Sequence, residues 1–350
     1  MNMIIFYNSI FYRHKPPQGI YHPENPKRLD IALNGIRAND LWEHIKNVNV
    51  VEDRYRNYKL RIHSEDYIAL IDNFCSSGNE GFIDSDTYVC RDTCAVANYA
   101  SYLSAHAMEI ALDTKGTLIF VLARPPGHHV GLNGRAMGAP TQGFCVFNNI
   151  AIATTYALDK GYKPVAIIDI DVHHGNGTQE IFWEDPNVVH IDVHEHGIYP
   201  GTGYSNDLGG GEGYGTKINI PMSSFSGDND YIYVFKEIVS QLIYNIKPKV
   251  LAISAGFDAY KDDGLASMEL TENFYKFFGS VISQFVKELG ISAIAVLEGG
   301  YSIGLERGLP ALLKGFVEPI DINIETAEAS RTTIYTVKSM RNIIKDFYKL

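Results

Sequence analysis

Apolar runs rich in Val and Ile recur along the chain at Thr117–Ala123, Val165–Val172, Val188–Val193, Val250–Ala255 and Ala293–Leu297. They are short and almost continuously hydrophobic, the pattern of strands buried on both faces. Between and after them the apolar spacing changes to three and four. Ile232, Phe235, Val239, Leu242 and Ile246 form one helical stripe; Phe274, Phe277 or Phe278, Val281 or Ile282, and Phe285 form a second. Thr271 ahead of the second stripe reads as an N-cap and Gly290 behind it as a C-cap. A third stripe of Ile334, Val337, Met340, Ile344 and Phe347 predicts a terminal helix within 334–350 that packs back on the body. Buried strands alternating with amphipathic helices predict an α/β fold, a mainly parallel sheet covered by helices on both faces. With no linker-like tract, repeat or low-complexity segment, the chain reads as one domain over 1–350.

Unusual polar residues cluster where these strands end. The run at Thr117 leads into Arg124-Pro125-Pro126-Gly127-His128-His129, that at Val165 into Asp169, Asp171 and His173, that at Val250 into Asp258, and that at Ala293 into Glu298-Gly299-Gly300-Tyr301. All are carboxyl ends, beyond which ligands bind in open parallel sheets. In extended chain Asp169, Asp171 and His173 share a face. Three ionisable groups on one face of a buried strand require a compensating charge, which a divalent cation supplies.

Asp171, His173 and Asp258 make a three-ligand set of two carboxylates and one imidazole that leaves a coordination position open. Being oxygen-rich, the set suits Zn2+ and also accepts Fe2+. The adjacent imidazoles His128 and His129 gain different basicities from different partners, with Asp169 a natural partner for one and Asn176 for the other. His174 is expected to face away from the metal. Tyr301 follows two glycines and can donate a hydrogen bond to a developing oxyanion. Together these groups predict metal-assisted hydrolysis of an amide. Each is unremarkable alone: Asp171 and His173 as loop residues past a strand, Asp258 as a cap, His128 and His129 as a surface pair, Tyr301 as one of 22 tyrosines. Their joint fall at four strand ends favours the site.

The composition is ordinary for a folded soluble chain, with 45% hydrophobic and 20% charged residues among 350. A formal net charge of -11 argues against a nucleic-acid partner, because phosphate binding needs clustered Lys and Arg. The four cysteines, Cys75, Cys90, Cys94 and Cys145, are too scattered for a disulfide scaffold and are all expected to be reduced. No signal-peptide pattern and no membrane-length apolar run is present, so a cytoplasmic location without a membrane partner is expected. Gly209, Gly210, Gly211 and Gly213 do not complete a phosphate loop, and no nucleotide cofactor is expected. An oligomer is left open.

The motifs His22-Pro23-Glu24 with Pro26-Lys27-Arg28, Arg124 to His129, Gly143-Phe144-Cys145 with Asn148-Asn149, Asp169 to Thr178, Pro200 to Gly203, Ser254 to Asp258 and Glu298 to Tyr301 occur in this order. In them the sequence resembles the zinc-dependent histone deacetylases and their prokaryotic relatives, including acetylpolyamine amidohydrolases, over residues 3–317; residues 318–350 would be a helical extension. The resemblance implies the three-layer α/β/α arginase/deacetylase fold. It implies zinc on Asp171, His173 and Asp258, proton transfer by His129, charge support by His128 with Asp169, and oxyanion binding by Tyr301. Gly143, Phe144, Tyr199 and Leu265 would line the acyl tunnel, Arg28 would lie beside an acetate-exit channel, and carbonyls of Asp169, Asp171 and His173 would hold K+. Tyr199 departs from a common phenylalanine, Asp192 from a common serine near the monovalent cation, and the loop 130–142 is longer than in many protein deacetylases.

The substrate is then the acetylated side chain of a lysine, or alternatively an acetylated polyamine. The sequence leans to lysine because Asp262-Asp263 is the only acidic run at the expected mouth, where it could grip a cationic backbone or amine. A dinuclear ureohydrolase lacks its second ligand set here, since Gly175 and Tyr260 stand two places after His173 and Asp258. A non-catalytic acyl-lysine binding protein would have lost a ligand or the tyrosine.

Overall fold

A computed structural model describes residues 1–49, 53–322 and 328–349. Eight parallel strands form the central sheet: β1 (Asn2–Tyr7), β2 (Ile45–Asn47), β3 (Thr117–Val121), β4 (Val165–Asp169), β5 (Val188–Glu195), β6 (Lys217–Met222), β7 (Val250–Ala255) and β8 (Ala293–Leu297). Their spatial order is β6-β5-β4-β7-β8-β3-β1-β2, every pair parallel. The five predicted strands are β3, β4, β5, β7 and β8, every residue of which is buried. Helices surround the sheet and complete the α/β/α layering. They include α1 (Lys27–Ala38), α2 (Glu65–Ser76), α3 (Thr93–Asp113), α4 (Asn149–Asp159), α5 (Asn176–Ile181), α6 (Glu272–Leu289), α7 (Leu309–Val317) and α8 (Arg331–Ile344).

Helix α6 begins and ends as its sequence predicts. The Thr271 side chain accepts from the Asn273 amide, and Gly290 closes the helix at φ 64, a left-handed position that suits glycine. The stripe from Ile232 to Ile246 is helical over 228–246 with a π turn at Phe235–Val239. Helix α8 packs back through Arg341, which donates to the Glu237 carbonyl at 2.8 Å, and through the Ser330 amide, which donates to Asp230 at 2.8 Å. It ends at Ile344, short of the predicted Phe347; Leu350 lies outside the described residues.

Two expectations fail. Cys75, near the end of α2, and Cys94, near the start of α3, form a disulfide with Cα atoms 6.1 Å apart, so only Cys90 and Cys145 are free, both buried. The pair is 19 residues apart in sequence; it meets only because α2 and α3 bring their ends together, which spacing does not reveal. Strand β4 stops at Asp169, not Val172. The Asp169 carboxylate accepts the Asp171 amide at 3.0 Å and the Asp171 carboxylate accepts the His173 amide at 3.0 Å. Such short-range bonds compete with the sheet ladder and curl the chain, so the simple alternation of faces breaks down at the residues to which it was applied. No helix among the described residues is long and apolar enough to cross a membrane.

Candidate metal centre

Strands β4, β7, β8 and β3 are consecutive in the sheet, so their carboxyl ends deliver the four motifs to one rim. Ligand atoms of Asp171, His173 and Asp258 lie within 4.8 Å of one another. His173 Nδ1 is 3.1 Å from Asp171 Oδ1 and 3.2 Å from Asp258 Oδ2. Asp258 Oδ2 is buried without a hydrogen-bond partner, which is costly for a carboxylate oxygen. Burial, and then the Asp171 charge, push the Asp258 carboxyl up to about 6. Both features fit residues that close around a cation. Glycines leave the space: a Cβ on Gly299 would lie 2.2 Å from Asp258 Oδ2, and one on Gly256 2.4 Å from the Asp171 Cα.

The two neighbouring imidazoles have separate partners. His128 Nδ1 bonds Asp169 Oδ2 at 3.1 Å, and its Nε2 lies 3.7 Å from Asp171 Oδ1. Burial lowers its pKa, but the Asp169 and Asp171 carboxylates override this and raise it well above the usual value. His129 is instead pushed well down, first by burial and then by His128 and His173. Its Nδ1 lies 2.8 Å from Asn176 Oδ1, while Asn176 Nδ2 donates to the Ala136 carbonyl at 2.9 Å. That donor fixes the amide's orientation, so His129 carries its proton on Nδ1 and leaves Nε2 as a free base. His174 faces away from the metal ligands, bonding Thr202 at 2.8 Å and Gln179 at 3.1 Å.

Tyr301 comes next to this group through its backbone. The Asp263 carboxylate accepts the amides of Tyr301 at 2.7 Å and of Ser302 and Gly304 at 2.8 Å. Asp263 is therefore committed to the loop, which corrects its half of the Asp262-Asp263 reading, while Asp262 remains exposed; a run of two acids shows charge but not which backbone amides will claim it. Burial, followed by the Asp258 charge, raises the Tyr301 phenol well above its ordinary value, so it remains a donor. Arg28 is fully buried, donates through Nε to the Gly300 carbonyl at 2.6 Å and to the Glu298 carbonyl, and sits 4.9 Å from the Tyr301 ring centroid.

Gly143 and Phe144 adopt φ of 52° and 70°. A Cβ on Gly143 would meet His129 at 2.5 Å and Tyr199 at 2.9 Å, so only glycine lets this wall approach both. Tyr199 lies 4.9 Å from the His129 ring and donates to the Thr141 carbonyl at 3.0 Å. Phe144 meets Tyr301 edge to face at 5.9 Å. Leu265 is 38% exposed, two residues beyond Asp263, and makes no ring or polar contact with the other three tunnel candidates. Asp192 accepts from His194 Nδ1 at 2.7 Å and from the Gly175 amide at 2.8 Å.

Sequence reasoning left two supporting acids, Glu298 and Glu24, without a role and gave a third, Asp263, a different one. Glu298 Oε2 accepts the amides of Gly127 at 2.7 Å and His128 at 3.1 Å. Asp263 holds the Tyr301 loop as described. Fully buried Glu24 accepts from Arg124 Nη2 at 2.8 Å, Arg28 Nη1 at 3.3 Å and the Tyr88 hydroxyl at 2.8 Å. Glu24 and Glu298 both stand inside the motifs; for Glu298 an acid directly after the buried run Ala293–Leu297 was the available signal.

The histone deacetylase domain family matches residues 22–316. An uncharacterised protein of Methanocaldococcus jannaschii is 47% identical over 349 residues, covering 98% of this chain and 97% of its own. A probable deacetylase of Archaeoglobus fulgidus is 33% identical over 317 residues, covering 90% of this chain and 84% of its own. The crystal structure of the HDA15 HD domain superposes with a TM-score of 0.88 at 29% identity, covering 99% of this chain and 95% of that one.

Proposed function

The chain belongs to the histone deacetylase family, and from that premise we propose that it is a zinc-dependent lysine deacetylase, hydrolysing the amide of an N-acetyl-lysine side chain. The observation that carries this reading is the closure of Asp171, His173 and Asp258 into one group, with an unpartnered Asp258 oxygen facing His173 and the neutral imidazole of His129 alongside. Zinc, or Fe2+, held there supplies Lewis acidity that polarises the acyl carbonyl and acidifies a water.

The protein's own groups do the rest. His129 Nε2 takes the proton of the attacking water and returns it to the departing lysine amine. Asn176 keeps that nitrogen free by accepting from Nδ1. His128, paired with Asp169, holds positive charge beside the reacting centre, and the Tyr301 hydroxyl donates to the developing oxyanion. Gly143, Phe144 and Tyr199 exclude water from the acyl chain, with Leu265 at the rim. Arg28 anchors the loop that carries Tyr301 and borders the acetate path. K+ at the Asp169, Asp171 and His173 carbonyls belongs to the same proposal.

Acetyl-lysine is favoured over an acetylated polyamine because Asp263 is buried and occupied by backbone amides, which leaves Asp262 as the one exposed acid of the pair at the expected mouth. The test is acetate release from an acetyl-lysine peptide by metal-loaded protein, beside N-acetylspermidine at equal concentration. Turnover of the peptide that stops with a chelator and returns with zinc is expected. Peptide binding by fully metallated protein without acetate release would leave a binding protein instead.

A further inference from the structure

A cavity of about 470 Å³ lies in the segment 15–27, lined by Lys15, Lys27, Pro16, Ile20, Tyr21 and His22 among others, with no aspartate or glutamate in its wall. Its volume is in the range of sites that take a small ligand or a side chain. Among the described residues neither Lys15 nor Lys27 has a carboxylate partner. Two unpaired ammonium groups at one cavity stand out in a chain whose net charge is -11. Ile20 is 49% and Tyr21 87% exposed, so the rim offers apolar and aromatic surface as well.

The position of the cavity links it to the reaction. In its wall the His22 ring sits between two carbonyls, Nδ1 3.0 Å from that of Glu24 and Nε2 2.8 Å from that of Asp86. The same ring lies 4.6 Å from the ring of Phe144, which lines the proposed acyl tunnel and meets Tyr301. One imidazole therefore separates the cationic cavity from the tunnel.

We propose that this cavity is a substrate subsite that binds an aspartate or glutamate flanking the acetylated lysine, so that the preferred substrate is an acidic stretch of a protein. The inference rests on the lysine-deacetylase reading and narrows it. A carboxylate side chain next to the acetyl-lysine meets Lys15 and Lys27, while its neighbours lie on Ile20 and Tyr21. An acetylated polyamine carries ammonium groups and is repelled by the same pair.

Three peptides test it, identical except that the residues flanking acetyl-lysine are Glu, Gln or Lys. Metal-loaded full-length protein is assayed on each, together with an acetyl-lysine amide that has no flanking residues. At low salt kcat/KM for the Glu peptide should exceed that for the Gln peptide by roughly 3- to 10-fold, carried by KM, with the Lys peptide slowest. The ratio should shrink as salt screens the pairs. Lys15→Glu with Lys27→Glu should invert the order, favouring the Lys peptide. The readout is a ratio within one preparation, so a less well-folded variant changes both rates and leaves the comparison intact. Equal rates on the three peptides, or an order the double variant does not change, overturn the subsite while leaving deacetylation in place. Release of acetate from none of the four compounds removes the deacetylase reading and the subsite together.

Discussion

Replacing Gly299 with alanine should strip the metal from the site while leaving the fold intact. Gly299 has no left-handed backbone to strain an alanine, so the effect is steric. Its new Cβ would lie 2.2 Å from Asp258 Oδ2 and 2.5 Å from Asp171 Oδ2. To reach an ordinary contact of 3.4–4 Å, the Asp258 oxygen must retreat by about 1.2–1.8 Å. The main chain cannot yield instead, because the Gly299 amide donates to Asp171 at 2.7 Å and its carbonyl accepts the Phe257 amide at 3.2 Å. Metal–oxygen bonds tolerate only about 0.2 Å. One ligand is thus lost outright, and zinc affinity should fall by roughly 100-fold, about 2.8 kcal/mol. Competition against a fluorescent chelator gives the affinity, and circular dichroism checks that the protein is folded. A folded variant that binds zinc within about threefold of the parent would refute the packing argument and, with it, the assignment of Asp258 Oδ2 as a ligand.

Tyr301→Phe should lower kcat by roughly 100- to 1,000-fold with full metal content, and a near-native rate would remove the oxyanion role. His129→Ala should be the more damaging of the two histidine changes, by about 100-fold or more in kcat/KM, and the reverse ranking would exchange their duties. Arg124→Met should cost about 3–5 kcal/mol in urea unfolding, because it leaves Glu24 charged and buried with Arg28 as its remaining guanidinium. Burial alone raises the Glu24 carboxyl, but Arg124, His14 and Arg28 override it and hold it well below the carboxylate range. The stability it contributes is therefore complete above about pH 4.3 and is lost as acid approaches the depressed value, so the parent's unfolding midpoint should fall on acidification below that point. Cys75→Ser should cost about 3 kcal/mol by opening the loop closed across 19 positions, and a reducing agent should do the same to the parent but nothing to the variant.

Much of the site was legible because it depends on strand ends, and strand ends follow from apolar runs. Four of the five runs carried the motifs at their carboxyl ends, the structure sets those four strands side by side, and the caps of α6 were readable residue by residue. Strands β1, β2 and β6 were missed: β2 is three residues long and incompletely buried, and β6 mixes Lys217, Asn219 and Pro221 into its apolar positions. The face-sharing argument singled out residues that do gather with Asp258, but by a rule that does not hold there, since Asp169 turns to His128 while Asp171 and His173 turn to Asp258. Asp263 and the disulfide were hidden for a common reason. Both depend on which loop amides or helix ends meet in space, and local pattern carries no record of that.

Asn176 grasps His129 with one end of its amide and the loop 130–142 with the other, at Ala136. If His129 is the base we propose, anyone re-cutting that loop to admit a bulkier acyl donor would thereby retune its proton transfer as well. Designed libraries should hold the Ala136 carbonyl fixed and diversify around it.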